Sequence, residues 1–362
     1  MSTSPDKPVV ALMAGGSGQR FWPLSRPLRP KQLLDLGGGE SLLRSTLRRA
    51  RLLTDLDRVL LVTREDLGRV MADELPELHR ANVLLEPVGA NTGPCVGLAA
   101  IEAGRRYGDP VLVMLPADHR ISDDGRFADV VRRGVELARR DDVLVVLGIR
   151  PTRPETQYGY IKVGEGAEGG YSPVVSFTEK PDRERAEIVH RTEGYYWNSG
   201  VFIWRASVIL AALERHAPGI YGPLKPLLDL GDGPLFGERL RSAYADVERV
   251  SVDYAVMERA DNAILIPADF DWDDLGSWTS LHRVFPSDEA GNTVVNAGGA
   301  PDPYLIDCER TLVYNESLRR ISLIGLSGAV VVATPDTLMV LPAERSSQVR
   351  ELSERFDPPV GW

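Results

Sequence analysis

The chain has 362 residues, 43% of them hydrophobic and 26% charged, with a formal net charge of −10 and an isoelectric point near 5.2. That composition belongs to a globular protein large enough for one sizeable domain and a smaller one, and the acidic balance argues against nucleic acid or an anionic membrane as partner. No apolar run approaches the ~20 residues of a membrane span, and the polar N-terminus lacks a signal-peptide stretch, which leaves the cytoplasm as the expected compartment. Cys95 and Cys308 stand far apart without metal-ligand spacing, as reduced structural thiols do.

In chain order, the first element is an apolar strand at 9–13 that opens directly into Ala14-Gly15-Gly16-Ser17-Gly18-Gln19-Arg20, followed within one loop length by Arg26-Pro27-Leu28-Arg29-Pro30-Lys31-Gln32. Glycines let the backbone approach an anion with its N–H groups turned inward, because no Cβ blocks the way and positive φ costs little. Arg20 and Lys31 supply the charge. The loop is not a P-loop, since Gly-Lys-Ser/Thr is absent, and it is not a dinucleotide fingerprint, since Phe21 stands where the third glycine belongs. Lysine is scarce here, at Lys7, Lys31, Lys162, Lys180 and Lys225, while arginine is abundant. Lysine after Pro30 and after Glu179 suggests a need for a compact ammonium, although background composition produces such patterns too.

Apolar runs at 59–62, 83–85, 111–115 and 143–148 alternate with amphipathic stretches at 42–53, 66–75, 96–107 and 127–139. This alternation predicts βαβ units and a mostly parallel sheet with helices on both faces. Ligands bind such sheets beyond the carboxyl ends of the strands, where the glycine loop, Glu86 and Asp118 all fall. From 151 the alternation breaks into loops, a strand at 174–178, a helix at 183–191 and a strand at 200–204, with the character of a substrate-binding lobe on the same sheet. Near 286 it changes again, to short strands at 310–314, 320–325, 329–333 and 337–341 and a helix at 346–356. The expected division is therefore 1–285 and a small β-rich domain, 286–362.

On its residues alone, Glu86-Pro87-Val88-Gly89-Ala90-Asn91-Thr92-Gly93-Pro94 is a strand-to-helix loop with Thr92 as helix cap. Asp118, in Leu115-Pro116-Ala117-Asp118-His119, is either a turn former or a ligand. In Asp271-Trp272-Asp273-Asp274-Leu275-Gly276-Ser277-Trp278, Asp273 is either solvated or a cap for the following helix. Glu179-Lys180 reads as a surface ion pair except that it ends an apolar strand stopped by Pro181, which points both side chains towards a cleft. The aromatic residues of Tyr196-Trp197-Asn198-Ser199-Gly200 read as core.

Taken together, these segments resemble the sugar-phosphate nucleotidyltransferases, and Phe21-Trp22-Pro23-Leu24-Ser25-Arg26 with Pro30-Lys31-Gln32 is similar to the mannose-1-phosphate guanylyltransferase branch. Matching segments run from Val9 to about Leu341. The resemblance implies an α/β fold: a Rossmann-like (GT-A-like) nucleotidyltransferase domain with a mostly parallel central sheet, plus the β-rich domain, for which a left-handed β-helix-like form is one option. It implies an enzyme that transfers GMP from GTP to mannose 1-phosphate, giving GDP-mannose and pyrophosphate. Another sugar 1-phosphate or nucleotide, or a non-catalytic nucleotide-sugar-binding homologue, is the alternative. Oligomeric state stays open, a homodimer included.

By the same resemblance, Gly15, Gly16, Ser17, Gly18, Glu86, Asn91 and Thr92 bind the nucleotide. Glu86 would face the base, because guanine displays two adjacent donors and a carboxylate has two acceptor oxygens. Tyr158, Gly159, Glu179, Lys180 and Asn198 would hold the sugar phosphate, with Lys180 on its phosphate and Glu179 and Asn198 on sugar hydroxyls. Asp118 and Asp274 would bind Mg²⁺, and Arg20 and Lys31 would stabilise departing pyrophosphate. Some bacterial relatives continue into a cupin-type phosphomannose isomerase domain; with the chain ending at Trp362, no conversion of fructose 6-phosphate to mannose 6-phosphate is expected.

Overall fold

Valine and leucine runs bounded by turn residues become strands buried on both faces, and here they build one large mixed sheet. The structure, a computed structural model, describes residues 7–16, 18–166, 170–230 and 234–357. The first half of the sheet comes from β1 (Val9–Met13), β2 (Val59–Arg64), β3 (Val83–Glu86) and β4 (Val111–Pro116). These pair in parallel, with Leu12 of β1 opposite Leu61 on one side and Leu115 on the other. Helices α1 (Leu42–Ala50), α2 (Gly68–Glu74), α3 (Thr92–Tyr107) and α4 (Asp124–Arg140) fall where the amphipathic stretches predict them.

Beyond the two-residue β5 (Arg120–Ile121), the second half comprises β6 (Leu144–Ile149), β7 (Tyr160–Val163), β8 (Ser172–Thr178), α5 (Arg183–Val189), β9 (Tyr195–Arg205), α6 (Ala206–His216), α7 (Pro218–Leu224), α8 (Pro234–Asp246), β10 (Ala263–Ala268) and β11 (Trp272–Asp273). The nine-stranded order is β3-β2-β1-β4-β9-β6-β10-β8-β7. All strands run the same way except β9 and β8, which are antiparallel to their neighbours. The strand expected at 200–204 is thus longer, Tyr195–Arg205, because it inserts between β4 and β6 and also pairs with β7. The helices between 206 and 246 and the strand β10 were not anticipated. β10 is a continuous apolar run, AILIPA, whose pattern does not separate strand from helix.

The chain packs as two compact units. One is built from the N-terminal segment through Gly15, Thr46–Ala117 and Ile121–Trp272, and it holds the nine-stranded sheet; the other is built from Gly16–Ser45, Asp118–Arg120 and the C-terminal part from Asp273. In the second unit, β12 (Thr293–Asn296), β14 (Leu312–Asn315) and β16 (Ala329–Ala333) stack in parallel, β17 (Leu338–Pro342) closes that sheet antiparallel, and β13 (Tyr304–Ile306) pairs in parallel with β15 (Ser322–Ile324). From β12 to β16, consecutive strands therefore alternate between two sheets, with β12, β13 and β14 each pairing in parallel with the strand two places on, which is the winding of a β-helix. Helices α9 (Leu281–Val284) and α10 (Val349–Phe356) flank it, the predicted 346–356 helix starting three residues later because 343–348 forms a 3₁₀ helix.

The segment after the glycine loop belongs to this unit's core. Phe21, Trp22, Leu24 and Leu34 are buried with Trp278, Val295, Leu312, Tyr314 and Val330. Phe21 and Trp278 have ring centroids 5.1 Å apart, Trp278 and Tyr314 5.2 Å, and the Trp278 indole donates to the Trp22 carbonyl at 3.0 Å. Cys95 and Cys308 are buried free thiols. Among the described residues no helix is long and apolar enough to cross a membrane.

Candidate active site

In the second unit the glycine loop and the Lys31 turn are pressed together. Gly18 has φ +65°, and a Cβ there would stand 2.4 Å from Lys31 Cβ and 2.6 Å from its backbone nitrogen, so only glycine allows this approach. A cavity of about 310 Å³ opens beside the contact, lined by Gly18, Arg20, Lys31, Asp118, Asp274 and Arg350 among others. All four charged residues assigned there from sequence come together. Ser17 lies outside the described residues.

Lys31 is nearly buried, and its ammonium donates to Asp118 Oδ2 at 3.0 Å and to the Asp274 carbonyl at 2.5 Å. Burial pushes the Asp118 carboxyl up, but Lys31 and His119 outweigh it and hold the group below the ordinary carboxylate range, so it is ionised at neutral pH. Arg20 reaches the Gly276 carbonyl only at 3.4 Å. Asp274 lies over Gly276, where a Cβ would meet its two carboxylate oxygens at 3.1 and 3.2 Å. The next residue, Leu275, has φ +47°, an uncommon conformation for a side chain of that size and one that sets the turn presenting Asp274.

Asp273 behaves differently from its neighbour. It is neither solvated nor a helix cap: it is buried, receives the Leu275 N–H at 2.8 Å, and forms a bidentate pair with Arg283 at 2.8 and 3.1 Å. Arg350, on the first turn of α10, is a cavity-lining cation that sequence reasoning missed, because nothing distinguishes it from the many other arginines. Among the described residues no group of three or more His, Cys, Asp or Glu could by itself hold a metal. Two carboxylates on one cavity, both hard oxygen donors, nonetheless fit Mg²⁺, which keeps waters and takes substrate phosphate oxygens to fill its shell.

Gly18→Ala tests the close approach. It should cost about 1–3 kcal/mol in stability through positive φ and the clash with Lys31 together, measured by denaturant titration. Gly39→Ala is the control, since Gly39 also has positive φ, +81°, but nothing within 4 Å of its would-be Cβ. Equal losses in the two variants would mean that the Lys31 contact contributes nothing.

In the first unit, Glu86 closes β3 and is 3% exposed. Its Oε1 accepts from the Tyr244 hydroxyl at 2.9 Å, and a Cβ on Gly15 would meet Oε2 at an ordinary 3.5 Å. Burial raises the carboxyl to about 7, with the Tyr244 hydrogen bond and the Arg64 charge acting against it. One of the two acceptors expected to face a base is therefore already engaged, by a residue with no sequence signal. The expected helix cap also moves by one. Asn91, at φ +73°, caps α3 by accepting the Thr92 N–H at 2.9 Å, while Thr92 Oγ1 accepts the Val252 N–H at 3.0 Å. Gly93 donates to the Val250 carbonyl at 3.1 Å, and a Cβ at Gly93 would stand 2.5 Å from that oxygen.

The segment that clamps this loop continues into Asp253, which accepts from the Asn198 amide at 2.6 Å. Asn198 in turn accepts from the Gly200 N–H at 2.9 Å, so its amide is fixed in orientation. Burial, and then the nearby Glu179 charge, raise the Asp253 carboxyl to about 6. Glu179 lies against Gly159, where a Cβ would approach Glu179 Oε2 to 2.5 Å, and Lys180, at φ +44° with its side chain largely exposed, pairs with Glu179 at 3.0 Å. Gly159, Glu179, Lys180 and Asn198 are thus gathered as the sequence suggests, and Asp253 joins them. Tyr158 is instead buried, ring centroids 5.2 Å from both Trp197 and Trp272, with its hydroxyl accepting from Arg153 at 3.2 Å.

Residues 9–291 match the family model of nucleotidyl transferases, and 304–356 match that of the MannoseP isomerase/GMP-like β-helix domain. A mannose-1-phosphate guanylyltransferase of Klebsiella pneumoniae is 37% identical over 96% of this chain and 73% of its own length. The xanthan biosynthesis protein XanB of Xanthomonas campestris is 40% identical over 94% of this chain and 71% of its own. A crystal structure from Thermus thermophilus, described as a mannose-1-phosphate geranyltransferase, superposes with a TM-score of 0.87 at 36% identity, covering 96% of this chain and 99% of that one. The chain therefore belongs to the sugar-phosphate nucleotidyltransferase family, with mannose-1-phosphate guanylyltransferases among its relatives.

Proposed function

We propose that the protein transfers GMP from GTP to mannose 1-phosphate, giving GDP-mannose and pyrophosphate, with residues 1–285 as its catalytic part and 286–362 as the β-rich part. The observation that carries this reading is the cavity in which a glycine loop packed on Lys31 shares its walls with Arg20, Asp118 and Asp274. A phosphate oxygen of mannose 1-phosphate attacks the α-phosphorus of GTP. As that P–O bond forms, the bond from the α-phosphorus to the bridging oxygen breaks, and the electron pair leaves with pyrophosphate. No general base is required, because a phosphate monoester with a second pKa near ~6 is already largely dianionic at neutral pH.

The obstacle is the approach of one polyanion to another, so cationic placement and alignment dominate. Lys180 holds the attacking phosphate, while Glu179, Asn198 and Asp253 order the sugar. Arg20 takes the leaving pyrophosphate, and Lys31, paired with Asp118, holds the carboxylate and the glycine loop in register. Asp118 and Asp274 would hold Mg²⁺, which when bound supplies charge neutralisation of the phosphates. Pyrophosphate release across four nucleoside triphosphates and several sugar 1-phosphates with Mg²⁺ tests the assignment. Turnover should be highest for GTP with mannose 1-phosphate, and a preference for any other pair overturns the reading.

Glu86 is proposed to read the base, and its buried state makes the reading pH-dependent. Only the ionised carboxylate can accept from both guanine donors, so the GTP-to-ATP ratio of kcat/KM should fall as pH drops below about 7. The ratio cancels the titration of the shared triphosphate. Glu86→Gln should lower the ratio at pH 8 and flatten its pH dependence, with mannose 1-phosphate kinetics nearly intact; an unchanged ratio shows that guanine is read elsewhere. Stability supplies a second check. A carboxyl raised from 4.5 to about 7 contributes stability that is fully present below 4.5 and lost as pH rises through 7. At about 1.4 kcal/mol per pH unit, Glu86→Gln should therefore raise Tm at pH 8 and do so much less at pH 5.

A further inference from the structure

Arg350, in the first turn of α10, lines the same cavity as Arg20, Lys31, Asp118 and Asp274. Its backbone is held in place by the helix on which it stands. Val349 and Ser353, one turn apart, form the buried face of α10, and Val349 packs in the core cluster that contains Phe21 and Trp22. At the other end of the helix, the Phe356 ring stacks on Trp22, with centroids 5.7 Å apart and an interplanar angle of 15°. Asp357 accepts from the Trp22 indole at 2.8 Å and from Arg26 at 2.5 Å. The helix is therefore fixed to the segment that directly follows the glycine loop, and packing sets the position of Arg350.

The guanidinium itself contributes little to that packing. Its side chain is 66% exposed, and Nε donates at 2.8 Å to Glu354, whose side chain is 48% exposed. An exposed i,i+4 pair with the cation on the N-terminal side has the less favourable order and adds little to a helix. The pair uses Nε, while the other donors of the fork are on Nη1 and Nη2. Lys31, in the same cavity, is engaged by Asp118 and the Asp274 carbonyl. A polyphosphate entering there meets two planar guanidinium groups, Arg20 and Arg350, each shaped to take two phosphate oxygens at once. We propose that Arg350 is a catalytic residue: its guanidinium binds the pyrophosphate portion of the nucleoside triphosphate and stabilises the charge that pyrophosphate gains as the bond to the α-phosphorus breaks. Through α10, the β-rich part of the chain thus supplies a cation to the reaction. This role rests on the nucleotidyl-transfer reading of the cavity.

The test is pyrophosphate binding to the full chain in the presence of Mg²⁺, measured by calorimetry, together with steady-state kinetics. Arg350→Ala should weaken pyrophosphate binding by about tenfold or more, the size of a charge-assisted contact. It should lower kcat/KM for GTP by a similar factor and leave KM for mannose 1-phosphate unchanged. Arg350→Lys keeps the charge but not the fork, and should recover part of the loss. Tm should change little in either variant, because the side chain is exposed and its pair with Glu354 is weak. Arg355→Ala is the control for charge alone: Arg355 stands on the same helix but does not line the cavity, its guanidinium 5.9 Å from the Phe356 ring centroid. Pyrophosphate affinity should be unchanged in that variant. Wild-type affinity in Arg350→Ala, or an equal loss in Arg355→Ala, overturns the assignment. Failure of the nucleotidyl-transfer reading shows separately, as a wild-type protein that neither binds pyrophosphate nor releases it from any nucleoside triphosphate with a sugar 1-phosphate, and that result overturns both.

Discussion

Asp274→Asn is expected to lower kcat/KM by about 10²–10³-fold at ordinary Mg²⁺, with partial recovery at raised Mg²⁺, because it removes a negative oxygen ligand from a hard cation. Asp118→Asn should act similarly and also replace the negative partner of the Lys31 ammonium, 3.0 Å away, with a neutral amide, so it should destabilise the fold as well. Asp273→Asn provides the contrast. Its carboxylate is held by Arg283 and the Leu275 N–H, so the expected loss is one of stability, about 1–3 kcal/mol given the partly exposed arginine. The folded fraction should keep near-normal turnover and an unchanged Mg²⁺ requirement. If Asp273→Asn instead shifts the Mg²⁺ dependence while Asp274→Asn does not, the two carboxylates have been assigned the wrong way round.

Lys180→Ala should raise KM for mannose 1-phosphate and lower kcat, with a total loss in kcat/KM of about 10–150-fold, while GTP binding changes little. A charge-assisted contact to phosphate is worth about 1.5–3 kcal/mol, and the ammonium is largely exposed and, among the described residues, pairs with Glu179 at 3.0 Å. The backbone there offers a control. Lys180 sits at φ +44°, so Lys180→Gly relieves strain and should stabilise the protein by a few tenths to about 1 kcal/mol while losing sugar-phosphate affinity as the alanine variant does. Unaltered sugar-phosphate kinetics in both variants would remove Lys180 from the site.

Much of the sheet and most of the proposed site are legible in the sequence. The first four strands announce themselves as valine and leucine runs, and the glycine loop, Glu86 and Asp118 lie at the ends of three of them, where a parallel sheet exposes backbone to ligand. The glycine loop was readable for the same reason: Gly18 is demanded by a local approach to Lys31, only thirteen residues away, so the motif records its own geometry. Glu179-Lys180 before Pro181 is local in the same sense. Signals of this kind depend on a few consecutive residues, and a single sequence displays them directly.

What the sequence by itself determined, then, is the α/β class, the strand-end positions of Glu86, Asp118 and Lys180, and the family to which their order belongs. The tertiary structure alone decided how those positions are served by distant chain. Tyr244 reaches Glu86 across 158 residues and Asp253 reaches Asn198 across 55, and neither carries a motif of its own. It also separated Asp273 from Asp274, adjacent residues of identical chemistry whose surroundings diverge, one meeting Arg283 and the other turning over Gly276. Phe21 and Trp22, which directly follow the glycine loop in sequence, are core of the β-helix unit beside Trp278 and Tyr314. Burial and long-range pairing arise from packing between segments that have no common periodicity, and a linear pattern contains no term for them.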